Sequence, residues 1–164
     1  MTETRLAIPH HLAEYLMHKY DIRNGILFID HHSDLYFLVW NLLSKRPVNA
    51  PMDSGILRIH IPKRRLGKNP DVYNYLSRKS ITIITRYINR MFKAEVHEYL
   101  DYHRHQNPTV PTKEAVYAFM EEYGIESISA SALIKDYYRW RKSRFTIKNG
   151  KKIYPLNYLN CPHP

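Results

Sequence analysis

Apolar positions change their spacing several times along this chain, and each change predicts an element. From Ile8 to Tyr20, Leu12, Tyr15, Leu16 and Tyr20 recur at helical steps. Asn24-Gly25 is a turn signal, and the run Ile26-Leu27-Phe28-Ile29 after it reads as a buried strand. Ser33 is placed to cap a helix from Asp34 to about Ser44, with Asp34 complementing the dipole in its first turn. Pro47 to Pro51 reads as a loop. Gly55 to Ile61 alternates weakly, as a second strand would, and Pro62 closes it. The segments starting at Gly25 and Gly55 share the pattern Gly-Ile-Leu-x-Ile. Two copies do not make a repeat array. They predict two paired strands in a small sheet, with the intervening helix on one face.

The middle of the chain predicts a long helix from Asp71 to about His103. Asn69 suits the N-cap and Pro70 the first helical position. Leu76, Ile83, Ile84, Tyr87, Ile88, Met91, Val96 and Leu100 form one apolar stripe. Lys79, Thr82, Arg86, Arg90 and Lys93 follow the same steps on another face. Ser77 and Ser80 mark a place where this helix can break, with a new one starting near Ser80. Pro108 and Pro111 end the pattern. Thr112 then caps a helix with Val116, Phe119, Met120 and Tyr123 inside, closed by Gly124. Ile125 to Ile128 is the turn. Ser129 or Ser131 caps a second helix through Leu133, Ile134, Tyr137 and Trp140, ending near Arg144. Asn149-Gly150, between Phe145–Lys148 and Lys152–Tyr154, signals a type I′ hairpin. The last ten residues read as an irregular tail.

Composition narrows the class. Of 164 residues, 44% are hydrophobic, too many for a disordered basic tail. No apolar run reaches membrane-spanning length. Met1 to Arg5, followed by Pro9, His10 and His11, does not read as a signal peptide. The single cysteine, Cys161, makes no internal disulfide. The expectation is a cytoplasmic protein, nucleoid-associated if it is a prokaryotic DNA binder. Its formal net charge of +10 is unevenly spread. Lys63 to Lys93 carries +8, Lys135 to Lys152 carries +7, and the remainder is −5. Such segregation is the footprint of a polyanion binder, because each neutralised phosphate releases condensed counterions.

The two helices around Gly124 resemble the general helix-turn-helix pattern of many DNA-binding families, over about residues 112 to 144. Phe119 and Tyr123 precede the glycine, and Ile125, Ala130 and Leu133 follow it. Met120 departs from the pattern, standing where a small residue is usual. The resemblance implies that the second helix reads DNA from its N-terminal end. Ser127, Ser129, Ser131 and Lys135 lie there, and Arg139, Arg141, Lys142 and Arg144 follow. Tyr138 is the aromatic left for a base, whereas Trp140 suits the core. Lys148, Lys151 and Lys152 would form a wing on the flanking backbone. Lys63, Arg64, Arg65 and Lys68 read as a phosphate-gripping loop, and the Ser77-Arg78-Lys79-Ser80 segment competes as a recognition-helix start.

Catalytic signals are weaker. Asp30-His31-His32 follows a strand-like run and resembles the Asp-His-His motif of a metal-dependent phosphoesterase family, which implies manganese-dependent hydrolysis. That family needs further aspartate motifs, and no Asp-x-Asp pair occurs here. His97 and Asp101 share a helical face, but the His-Glu-x-x-His zinc spacing is absent. Five glycines include no phosphate-cradling loop.

The sequence therefore predicts a mostly α (α+β) protein: a helical core, a small two-stranded N-terminal element, and a C-terminal helix-turn-helix followed by a β-hairpin. Its parts are 1–62, a small α/β part; 63–105, the long basic helix region; 112–154, helix-turn-helix with hairpin; and 155–164, a tail. The expected function is non-enzymatic DNA binding, as a transcription regulator or accessory protein of a phage, plasmid or mobile element, without cofactor or metal. Double-stranded DNA is favoured over RNA as partner, with no membrane, and a homodimer through the apolar stripe is compatible with the pattern. The alternatives are a virion or nucleoprotein assembly protein with non-specific nucleic-acid contact, and the phosphoesterase or nuclease reading.

Overall fold

The computed structural model describes residues 2–50, 54–62, 67–144, 146–148 and 151–153, with the backbone alone at 144, 146–148 and 151–153. Within these residues the fold is mixed α and β, with five helices and small sheets. No helix among them is long and apolar enough to cross a membrane. The chain divides into two compact units: residues 1–94 with 121–127, and residues 95–120 with 128–164.

The first unit is built on a four-stranded sheet in the order β1-β5-β3-β2, not the two strands expected. Its strands are β1 (Glu3–Leu6), β2 (Asp21–Arg23), β3 (Ile26–Phe28) and β5 (Leu57–His60). The paired strands anticipated from the sequence are β3 and β5, and they run parallel. Helix α2 (Asp34–Leu42) lies between them in the chain, as a parallel crossover requires. Strands β1 and β2 escape sequence reading because they carry little apolar signal: β2 is exposed throughout, and Glu3 and Arg5 alternate with the buried Thr4 and Leu6 in β1. Asn24 and Gly25, at φ 53° and 71°, close the β2–β3 hairpin. Both central residues at positive φ are what a type I′ turn demands. Arg58 and Glu3 form a two-pronged ion pair on the β1–β5 ladder, with Arg58 Nη2 2.7 Å from Glu3 Oε2.

Helix α1 (His10–Lys19) buries Leu12, Ala13, Tyr15 and Leu16, as its spacing predicts. Ser33 caps α2, its hydroxyl accepting the Tyr36 N–H at 3.2 Å. A second, two-stranded sheet pairs β4 (Ser44–Lys45) with β6 (Tyr73–Tyr75). This pairing corrects the expected helix start at Asp71. Asn69 does act as a cap, but of a turn: its side chain accepts the Asp71 N–H, and its carbonyl accepts Val72 and Tyr73. Apolar helical spacing begins only after Leu76, so nothing draws residues 71–75 into the helix. Ser77 supplies the N-cap of α3 (Arg78–Gln106), accepting the Ser80 N–H at 3.1 Å. Ser80, Ile84, Ile88, Phe92, Val96 and Leu100 make the buried stripe of α3, one every four residues. Ile83, expected in that stripe, is exposed, and Phe92 takes a place in it.

The second unit holds the end of α3, most of α4 (Thr112–Glu122), α5 (Ala130–Arg144), and the hairpin β7 (Thr146–Lys148) with β8 (Lys151–Ile153). Thr112 is the first residue of α4 rather than its cap: the Pro111 carbonyl accepts from Glu114 and Ala115. Ser129 caps α5, accepting the Ala132 N–H at 3.3 Å. Val116, Phe119, Leu133 and Tyr137 are buried here, and the Tyr99 ring meets Phe119 edge-on at 5.1 Å. The predicted Asn149-Gly150 turn lies outside the described residues, but the strands on either side pair antiparallel, Thr146 with Ile153 and Lys148 with Lys151.

Candidate nucleic-acid interface

Helix α5 sorts its charges by face. Ser131, Lys135, Tyr138, Arg139 and Lys142 are all exposed, and steps of three and four residues place them on one side of the helix. The opposite side carries Leu133 and Tyr137, both buried. The only acid of α5, Asp136, is absent from the exposed row. Its Oδ2 lies 2.8 Å from His97 Nε2, and the His97 ring is 93% buried and stacks on Trp140 at 4.5 Å. The basic face is thus free of internal neutralisation by its own helix.

Arg141 is on the wrong side for the role the sequence assigned to it. Its side chain is only 20% exposed, Nε stands 3.7 Å from Asp101 Oδ1, and its guanidinium lies over the Tyr137 ring. Tyr137 in turn donates its hydroxyl to Asp101 at 2.6 Å. Burial, and then this bond to a carboxylate, push the phenol well above the ordinary tyrosine range. Asp101 and His97 do share a helical face, as their spacing indicated, and both are used to hold α5.

Of the serines at the start of α5, Ser129 is engaged as the cap, and its hydroxyl is 3.1 Å from that of Ser131. Ser127 is also spent. Within the first unit its hydroxyl and amide, with the Glu126 amide, bond the Glu14 carboxylate. Gly124 enters this turn at φ 59°. Tyr138 is 47% exposed, and its hydroxyl donates to Thr112 Oγ1 at 3.1 Å, so the ring is held rather than loose. Arg144 ends α5, and Lys148, Lys151 and Lys152 lie on the hairpin; their side chains are outside the described residues.

The first unit offers a second basic row on α3. Lys79, Arg86 and Arg90 are exposed along it, together with Arg78, and Lys93 is half-buried. Lys63, Arg64 and Arg65 lie outside the described residues. Lys68, expected in the phosphate-gripping loop, is instead engaged within the fold: its amine donates to the carbonyls of Trp40, Asn41 and Leu43 at 3.0, 2.7 and 2.6 Å. It closes the C-terminus of α2, where a cation complements the helix dipole. Burial lowers its pKa.

The Asp30-His31-His32 tripeptide forms the approach to α2. Asp30 Oδ1 accepts the His32 N–H, the Asp30 carbonyl accepts the Ser33 hydroxyl, and the His31 ring meets Tyr36 edge-on. No group of three or more His, Cys, Asp or Glu side chains placed to hold a metal occurs among the described residues.

Two cations that the sequence reading passed over, Arg104 and Lys113, come together at a cavity of about 450 Å³ that also touches Ile134 and Tyr138 of α5. They sit on either side of the proline-marked connection, and only the fold makes them neighbours of one space.

Comparison with protein-family models, with characterised proteins and with solved structures gave no match.

Proposed function

We propose that this chain is a non-enzymatic DNA-binding protein that lays the exposed face of α5 against the duplex. The reading is carried by one observation: Ser131, Lys135, Tyr138, Arg139 and Lys142 share that face, while the helix's only acid is paired with His97. Arginine and lysine at successive turns suit both phosphates and guanine edges. The order of elements adds support. A capped helix follows a turn with a glycine at positive φ, and a β-hairpin follows that helix, an arrangement compatible with a recognition helix and a wing. The exposed row Lys79, Arg86 and Arg90 on α3 is a further phosphate-binding surface. The role would be regulatory or accessory rather than catalytic.

The test is binding of the full chain to random duplex DNA, single-stranded DNA and RNA across a salt series, then selection of preferred duplex sites. Enrichment of a duplex sequence supports a recognition role for α5. Equal binding to every duplex, lost near physiological salt, favours a packaging or assembly protein. Absence of binding to any nucleic acid overturns the reading.

A further inference from the structure

The cavity of the second unit has a chemical character of its own. Its walls combine two exposed cations, Arg104 at the end of α3 and Lys113 at the start of α4, with the Tyr138 ring, Ile134 and Pro111. No aspartate or glutamate lines it. The N-terminus of α4 borders it at Thr112 and is preceded by Pro111, which has no side-chain acceptor to offer the first amides. Glu114 stands in the first turn of α4 and offsets the helix dipole, so the pull on an anion comes from Arg104 and Lys113. Among the described residues Arg104 has no ion-pair partner. The bond from Tyr138 to Thr112 fixes the aromatic ring as part of the wall. The space is an open cleft of about 450 Å³ rather than an enclosed chamber, so an occupant would keep part of its surface in solvent.

From these features we infer that the cavity is a binding site for one nucleotide unit, its phosphate drawn by Arg104 and Lys113 and its planar base laid against Tyr138 and Ile134. The choice of a nucleotide among planar anions rests on the nucleic-acid reading of α5, with which the site shares Tyr138. Base–aromatic stacking and a charge-assisted phosphate contact each supply binding that neither part alone would give. The occupant has two sources, a free mononucleotide or the terminal nucleotide of a strand, and both present the same chemistry.

The experiment is an NMR titration of the ¹⁵N-labelled full chain with deoxynucleoside monophosphates, using the free nucleosides and inorganic phosphate as single-part controls. Saturable shifts confined to the amides around 104–113 and 134–138 are expected, with each control weaker by roughly tenfold or more. Arg104→Gln, a change at an exposed side chain, should weaken the monophosphate by about tenfold, and Tyr138→Leu should erase its advantage over inorganic phosphate. An oligonucleotide with a terminal phosphate that competes for the same shifts identifies the strand end as the occupant; one that does not identifies the free nucleotide. A monophosphate that binds no better than inorganic phosphate, shifts that map elsewhere, or an Arg104→Gln variant that binds as wild type does would each overturn the inference. Lys135→Ala separates the two readings: it should weaken duplex binding and leave the monophosphate shifts in place. Duplex binding without monophosphate shifts sinks the cavity site alone, and the reverse outcome sinks the duplex reading alone.

Discussion

Lys68 Nζ stands 2.6 Å from the carbonyl oxygen of Leu43, the last of three carbonyls it gathers at the end of α2. This contact makes Lys68 a structural cation inside a segment rich in basic residues. Lys68→Met should therefore lower stability by roughly 1–3 kcal/mol, since it strands carbonyls that had a charged donor. Urea unfolding measures that loss. If the chain binds DNA as proposed, the salt dependence of that binding should not change, and a shallower slope would return Lys68 to the proposed phosphate-binding set.

Lys135→Ala and Arg139→Ala should act in the opposite way. Both side chains are exposed, so unfolding midpoints should hold within about 0.5 kcal/mol. Duplex affinity should fall, and each change should reduce the slope of log affinity against log salt by about one. Arg141→Ala is the internal control. Its guanidinium packs on Tyr137 beside Asp101, so it should cost stability first. If Lys135→Ala and Arg139→Ala bind as tightly as wild type, α5 is not the contact helix.

Tyr137→Phe removes the donor to Asp101 and should destabilise by about 1–2 kcal/mol at neutral pH. The pH dependence has a definite sign. The folded phenol titrates above its unfolded value of 10.0, so its stabilising contribution is complete below that pH and is lost as pH rises toward the folded value. Alkaline unfolding curves should show wild type and Tyr137→Phe converging above about pH 10. A constant gap between them would mean that the tyrosine ionises equally in both states.

Glu14 predicts an acid-side effect. Burial opposes its ionisation, but the Ser127 hydroxyl and the amides of Ser127 and Glu126 outweigh it and hold the carboxyl below the ordinary range. The stability it contributes is present above the unfolded value of 4.5 and disappears as pH falls through the folded one. Glu14→Gln should cost roughly 1 kcal/mol near neutrality, discounted for solvent, and nothing in acid. Parallel pH-stability profiles for the two proteins would contradict this.

Gly25 and Gly55 open the same Gly-Ile-Leu-x-Ile pattern for different reasons. Gly25 needs its positive φ, and a side chain there would meet nothing within 4 Å. Gly55 has no such φ, but a Cβ would lie 2.5 Å from the Leu6 carbonyl carbon. Gly25→Ala should cost about 1 kcal/mol through backbone strain alone. Gly55→Ala should cost considerably more, because backbone must move to admit it. Thermal unfolding of the two variants checks the order; a smaller loss for Gly55→Ala would reverse the assignment.

Several elements were legible because a local rule decides them. Ser33 caps the helix it precedes, as does Ser129, one of the two serines offered for α5; Asn24-Gly25 closes a hairpin; and apolar steps of three and four mark α1 and Ile84, Ile88, Val96 and Leu100 of the buried row of α3, but not its Ser80 and Phe92. The pairing of β3 with β5 was suggested by their shared pattern; its parallel direction was not. Their register, Ile26 against Arg58, is set by packing and does not align the two copies. Strand β2 was hidden because it has no buried position to give a period, and β6 because Tyr73-Asn74-Tyr75 continues a polar run that a capped helix would equally fit.

For the site, sequence determined where positive charge is concentrated and that one such segment is a helix flanked by a glycine turn. Tertiary structure decided which of those charges face outward. Lys68 and Arg141 belong to the same basic segments as Lys79 and Arg139, yet the first pair is consumed by α2 carbonyls and by Asp101. Asp136 lies in the basic run and is removed from it by His97, thirty-nine positions earlier in the chain. Arg104 and Lys113 became candidates only when folding placed them at one cavity. The physical reason is common to Lys68, Arg141 and Asp136. Charge and helical period are properties of neighbouring residues, whereas the partner that satisfies a charge is supplied by whatever distant segment the fold brings within hydrogen-bond reach.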